Sequence, residues 1–395
     1  MHNLRSIVAL AVVSAGTLSA ASTLDEVFSE GKVSLQSRLR YEYGDQPGVA
    51  DSHAFTLRNR LGFTSGKMNG WYFMLEGEDV HAADSDSYNQ AGLNPGGAGQ
   101  VVIADIEGTE VNQAWLGYAG DTVNAKLGRQ RFVLDNVRFI GDVGWRQDQQ
   151  TYDAFTVANT AVENLKLTYG YMWQANRIFS DKRDWESDNH IFNASFTGLP
   201  NGKLTAYGYL FDFETAAANS TATYGANYTG SSKIDDGFTF LYTFELATQS
   251  DYGNSPFSYS ATYYAAELGA KVGKITLKAG YEVLGSDNGQ GFKTPLATLH
   301  KFNGFADLFL GTPGTGLKDL YFSIAGSPAK GVTLAAFYHD FSAETGGASY
   351  GDEIDLVASY KFADRFTGVA KFAMFDSDTH ARDTDRFSFE VNFAY

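Results

Sequence analysis

The chain has no cysteine, which excludes a disulfide framework and any thiolate chemistry. Beyond its first 21 residues it has no run of about 18 apolar residues, so no transmembrane helix is available. Positive charge is scarce: 30 Lys and Arg stand against 46 Asp and Glu, a net −16 over 395 residues. Such acidity argues against nucleic acid or an anionic membrane surface as partner. Catalytic signatures are missing as well. The seven histidines (His2, His53, His81, His190, His300, His339, His380) include no metal-spaced pair of the HExxH kind, and no G-x-S-x-G elbow occurs. An enzyme is therefore not expected.

What is present begins with an export leader. Arg5, an apolar run from Ile7 to Val13 and the small residues of "SAGTLSAAS" form a signal peptide over residues 1–21. Its removal takes away one arginine and no acid, leaving −17 on residues 22–395, which form a single domain. That domain alternates with period two. In "GKVSLQSRLRYEY", Val33, Leu35, Leu39, Tyr41 and Tyr43 share one face, and Lys32, Ser34, Gln36, Arg38, Arg40 and Glu42 the other. "AFTLRNRLGF", "LKLTYGYMWQ", "ITLKAGYEV", "EIDLVASYKF" and "RFSFEVNFAY" repeat the pattern, which is that of strands with one apolar and one polar face. Tight connections (65–70, 119–121, 198–202, 271–274, 327–331) alternate with long polar ones (79–109, 130–150, 176–188, 285–317). Short turns on one side and long loops on the other lace an up-and-down antiparallel barrel in the bacterial outer membrane. The alternation predicts about 18 strands, with long extracellular loops folding partly into the mouth.

With apolar positions toward lipid, the polar face lines a lumen. Arg38 and Arg40 come from the first strand, Arg58 and Arg60 from the second. Simple pairing across 65–70 puts Glu76 opposite Arg60 and Glu78 opposite Arg58, and pairing across the first loop puts Arg38 opposite Arg58. This arrangement serves either as a structural ladder or as a basic track for a polyanion. In "LGRQRFVLDNVRFIGDVGWRQDQQTYDAF", strict alternation turns Arg129 and Arg131 outward with Leu127, unless they sit at the rim or a bulge redirects them. A bare arginine at the bilayer midplane costs about 2–4 kcal/mol. The segment's apolar residues Phe132, Val133, Leu134, Phe139, Ile140 and Trp145 mark a loop folded inward to narrow the channel, with Arg138 and Arg146 pairing aspartates there. A second connection, 291–316, is too apolar for a free loop and packs at the mouth, with His300 and Lys301 structural. The acidic runs "ADSDSYN" (83–89) and "DSDTHARDTD" (376–385) are solvated loops where Ca²⁺ could bridge to lipopolysaccharide. No other cofactor is expected.

Together "RNRLGF", "YFMLEGEDV", "NQAWLGY", "KLGRQRFVLDNVRFIG…WRQ…TYDAF", "FKTPLATLHKFNGFADLFLGTP" and "YGDEIDLVASY" resemble the alginate-export family of outer-membrane porins, from about residue 31 to the end. The resemblance implies a monomeric 18-stranded barrel whose arginine-rich lumen passes acidic polysaccharide. By matching positions it implies Arg58, Arg60, Glu76, Arg129, Arg138, Arg146 and Asp153 as pathway residues; Arg38, Arg40, Glu78 and Arg131 join them from the strand pattern. Uptake of acidic oligosaccharides or small organic anions, and general porin activity, are the alternative functions. Outer-membrane lipid is the expected surrounding. The aromatic terminus, Tyr395, resembles the signal read by the barrel-insertion machinery.

Overall fold

The computed structural model describes residues 23–395; the expected leader, 1–21, lies outside them. Eighteen antiparallel strands form one sheet: β1 Lys32–Asp45, β2 Ser52–Thr64, β3 Trp71–Ala82, β4 Gly108–Ala119, β5 Val123–Gln130, β6 Thr151–Asn159, β7 Leu165–Asn176, β8 Trp185–Leu199 and β9 Gly202–Phe211 make one half. The other half is β10 Thr221–Lys233, β11 Phe238–Asp251, β12 Ser260–Val272, β13 Ile275–Leu284, β14 Leu317–Gly326, β15 Val332–Ser342, β16 Ser349–Ala363, β17 Phe366–Ser377 and β18 Thr384–Ala394. Each strand pairs with its neighbours in sequence, and β1 also pairs with β18, so the sheet closes and leaves no edge. Among the described residues no helix is long and apolar enough to cross a membrane.

The side chains are inverted relative to a water-soluble protein. In β2 Phe55, Leu57 and Leu61 are exposed, with His53 beyond them at the strand end, while Thr56, Arg58 and Arg60 are buried. Leu61 is 62% exposed and Arg58 only 4%. An apolar outer face around a polar interior is what a hydrocarbon surround selects. The short turns gather at one end; the β8–β9 turn is just Pro200–Asn201, with Asn201 at φ 59°, a conformation asparagine tolerates. A short helix, α1 (Leu24–Ser29), caps the same end. Its Thr23–Glu26 capping box fixes its start, and Phe28 stacks on Phe63.

The long loops enter the barrel. A buried apolar cluster lies inside the mouth, where Phe139 and Ile140 of the 131–150 loop and Phe292, Leu296 and Phe309 of the 285–316 loop meet Tyr207, Tyr209, Tyr263, Phe341 and Phe375 on the inner wall. The inward-folded loop expected around Arg138 and Arg146 is therefore present.

One expected register is corrected. Glu76 is opposite Gly62, Glu78 opposite Arg60, and Arg58 faces Val80. The segment 65–73 is not a simple turn: Met68 bridges Trp71 in a small hairpin of its own, with Asn69 at φ 52° and Gly70 at φ 85°. This absorbs two residues. A shift of two leaves every side chain on its expected face and changes only its partner.

Candidate functional site

The 131–150 loop crosses the lumen and is fastened at both ends of its span by arginine. Arg138 Nη2 donates to Glu282 Oε2 of β13 at 3.0 Å, and its Nε lies 3.0 Å from Glu282 Oε1 within the same ion pair. Arg146 places Nη1 3.1 Å from both Glu42 oxygens on β1 and Nη2 2.9 Å from Asp307 of the 285–316 loop. Both guanidiniums are buried. The two loops are zipped to one another by backbone: Gly141 N–H donates to Leu296 O at 2.8 Å, and Thr298 N–H to Val137 O at 3.1 Å. Thr298 Oγ1 accepts from the amides of Asp142 and Val143.

Trp145, at the inner turn of the loop, is an aromatic platform among cations. Its ring lies flat on His300 at 3.8 Å, with the Arg40 guanidinium 4.1 Å and Lys371 Nζ 3.8 Å from its centre. His300 donates or accepts on both sides, with Nδ1 2.8 Å from Asp307 Oδ1 and Nε2 2.9 Å from Lys371 Nζ. Burial holds the His300 imidazole neutral, its pKa lowered to about 3, with Lys371 adding to the effect against Asp307. Asp307 falls below the usual carboxylate range; burial alone would raise it, but His300 and Arg146 outweigh that.

The four arginines of β1 and β2 are not equivalent. Arg40 is fully engaged, with Asp105 Oδ2 at 3.2 Å and Glu390 Oε2 at 2.6 Å. Arg60 is bonded to Glu78. Arg38 reaches Glu390 at only 3.7 Å and spends Nη1 on the carbonyls of Gly144, Trp145 and Arg146. Arg58, directly opposite Arg38, has no carboxylate within ion-pair distance among the described residues. It bonds only the Gln147 carbonyl, at 3.5 Å, and its buried Nε has no partner. The corrected register is the cause: a glutamate across from Arg58 would have paired it, and Val80 does not.

Of the other expected residues, Glu76 accepts from Asn112 and Gln113 rather than from arginine. Arg129 and Asp153 form an ion pair at 2.9 Å one residue from the loop end of β5, so the rim location holds for Arg129. Arg131, past the strand end, turns to Asp142 and stays half exposed. These three are not brought together with Arg38 and Arg58. Sequence reasoning missed Glu42, Asp105, Lys371 and Glu390. Glu42 and Glu390 were readable from alternation; Lys371 is hidden in the nearly continuous apolar run "GVAKFAMF". The acidic loops supply turn caps: Asp84 accepts from the Asp86 amide and Asp383 from the Ser377 amide. Among the described residues the one group of three carboxylates spaced for a cation is Glu78, Glu110 and Asp148.

The sequence profile of a family described as alginate export matches residues 30–341. A search of curated proteins gave no match. Among solved structures, OpdK of Pseudomonas aeruginosa with vanillate superposes with a TM-score of 0.76 at 17% identity, covering 93% of this chain and 99% of that one. OccK9 (OpdG) of the same organism gives 0.76 at 16%, over 93% and 99%. OccAB2 of Acinetobacter baumannii gives 0.75 at 14%, over 94% and 99%. At these identities the likeness is one of fold.

Proposed function

Since the chain belongs to the alginate-export family and is a multi-pass β-barrel of the bacterial outer membrane, we propose that it is a passive channel for acidic saccharides, with uronate units as the recognised group. Family and fold point to a transporter. The observation that carries the reading is Arg58: a lumen guanidinium without a carboxylate, beside Arg38 and Arg60. A uronate carboxylate fits a guanidinium in bidentate fashion. Hydrogen bonds to charged groups contribute about 1.5–3 kcal/mol, enough to select an anion and weak enough to release it. Arg38 and Arg58 form the track, and Arg131 offers a further, half-exposed cation. Arg40, Arg138 and Arg146 hold the shape of the passage, countered by Asp105 and Glu390, by Glu282, and by Glu42 and Asp307 respectively.

The loops zipped across the lumen favour short oligomers over a long polymer, and they favour one second reading, passage of small organic anions. The similar OpdK barrel was solved with vanillate, an aromatic carboxylate. Flow follows the concentration gradient in either direction. A cleaved leader, insertion signalled by Tyr395, a lipopolysaccharide contact at the acidic loops and a monomeric state complete the proposal; Tyr395 is seated by reciprocal backbone bonds with Leu35.

Planar-bilayer recording tests it. Uronate oligomers should block current, neutral oligosaccharides of equal length should not, and Arg58→Gln should weaken uronate block at least tenfold, about 1.4 kcal/mol. Equal block by both sugars would make the protein a general porin, stronger block by vanillate would select the second reading, and absence of conductance would end the channel proposal.

A further inference from the structure

We infer that Glu78 of β3, Glu110 of β4 and Asp148 of the 131–150 loop form a calcium site that ties this loop to the barrel wall. The three come from separate segments of the chain, yet each offers a carboxylate oxygen within 4.8 Å of the other two. Glu78 and Asp148 are 2% and 3% exposed. Each keeps one oxygen with no hydrogen-bond partner among the described residues, Glu78 Oε1 and Asp148 Oδ1. Their other oxygens are occupied: Glu78 Oε2 by Arg60 Nε, and Asp148 Oδ2 by the Ser180 amide at 2.7 Å. Two buried carboxylate oxygens left bare beside a third carboxylate is a costly arrangement unless something positive sits between them.

Charge counting says how positive. Arg60 is the cation in contact, and Arg129, which approaches Glu110, is committed to Asp153. Three carboxylates against one guanidinium leave two negative charges, which a divalent ion neutralises. An all-oxygen donor set suits a hard cation. Ca²⁺ takes six to eight oxygens in flexible geometry at about 2.3–2.6 Å, which suits carboxylates brought from three segments better than Mg²⁺, which demands near-ideal octahedral geometry at about 2.0–2.1 Å. Access exists: a cleft of about 610 Å³ is lined by Glu110, Arg129, Ser180 and Asp184, and Ser180 is the residue that holds Asp148. The site differs from the acidic loops at 83–89 and 376–385, which contribute none of its ligands.

The consequence is mechanical. Residues 147–149 are held to β1, β2 and β4 by hydrogen bonds from Gln147 to the Arg38 carbonyl and to Thr56 and from Asn112 to Gln149. An ion at Asp148 would lock this end of the loop, as Arg138 and Arg146 lock the rest.

The test uses the full-length protein purified in detergent and stripped with EDTA. Calorimetric titration with CaCl₂ should show one Ca²⁺ per chain, with a dissociation constant of about 10⁻⁴–10⁻³ M, as in extracellular calcium modules. Ca²⁺ should raise the unfolding temperature. Glu110→Gln and Asp148→Asn should each weaken binding at least tenfold, while Asp376→Asn/Asp383→Asn on the acidic loop should not change it. Should Glu110→Gln fail to insert, Asp148→Asn, outside the strands, carries the same test. No Ca²⁺-dependent heat or thermal shift in the wild type overturns the inference. So does binding that survives both site variants, binding lost only in the acidic-loop variant, or tighter binding of Mg²⁺ than of Ca²⁺. The measurement does not involve conduction, so its failure leaves the channel proposal standing.

Discussion

Arg146→Met would remove one guanidinium while keeping the aliphatic stem, and it should release the 131–150 loop. The side chain is buried, with two contacts of 3.1 Å to Glu42 and one of 2.9 Å to Asp307. Removing one partner of a buried pair costs about 3–5 kcal/mol, because the other charge stays behind uncompensated. Two contacts pull the value to the lower end. Glu42 keeps Arg386 at 3.5 Å, and Asp307 keeps His300 at 2.8 Å. About 3 kcal/mol at 1.4 kcal/mol per decade is roughly a hundredfold shift from packed toward released loop. Arg131→Gln is the control. Its guanidinium is 49% exposed and pairs with Asp142, so about 0.2–1 kcal/mol is at stake and at most roughly a fivefold shift. Single-channel recording reads the outcome as the fraction of time spent in a wide, noisy state. Adding Glu42→Gln to Arg146→Met should restore part of the packed state, because it removes the stranded charge. Wild-type gating in Arg146→Met, or a larger effect from Arg131→Gln, would refute the assignment of Arg146 as a fastener.

Acid should loosen the same loop. The His300 pKa is depressed in the folded state, so its contribution is complete above about 6.5 and is lost as pH falls toward 3; Asp307, also depressed, loses its contribution below about 3.8. Wide-state occupancy should therefore rise between pH 6.5 and 4, and His300→Gln should flatten that rise; an unchanged profile in His300→Gln would rule the histidine out. Trp145→Leu removes the His300 stack and the contacts with Arg40 and Lys371, each worth up to about 2 kcal/mol when desolvated. Limited proteolysis should then cut within 131–150 at least tenfold faster, and an unaltered rate would show that the platform does not hold the loop.

The barrel was legible because its signal is local. Period two in "AFTLRNRLGF" assigns each residue to a face whatever its partner, and the alternation of short and long connections carries the strand count. Partners are a different matter. Periodicity cannot see a shift of two residues, and the hairpin within 65–73 made such a shift, so Arg58 and Glu78 lay on the predicted face and were not paired. The inward fold of 131–150 was legible from its apolar residues, but the destinations of Arg138 and Arg146 were not. Glu282 and Asp307 are more than 140 residues from them in sequence, and no local pattern encodes that meeting. Lys371 escaped because the wall around it is apolar on both faces, Phe375 being buried against Phe341 and Phe309 of the second loop.

The number of lumen arginines is thus a poor measure of anion affinity. A guanidinium with a permanent carboxylate must give up several kcal/mol before it can serve a substrate, whereas one without a partner gains by binding. On this reasoning Arg58 can be silenced without being touched. Val80 lies directly across from it, is buried on the inner face, and has only Gly108 on its other flank. Val80→Glu would put a carboxylate where Arg58 has none and where the longer side chain meets no side chain from β4. All four arginines of β1 and β2 would remain, and the barrel should be at least as stable, because a buried charge has been compensated. Uronate block should nevertheless fall as far as in Arg58→Gln. If block persists in Val80→Glu while Arg58→Gln abolishes it, the argument from pairing is wrong, and the summed positive field of the lumen governs selection.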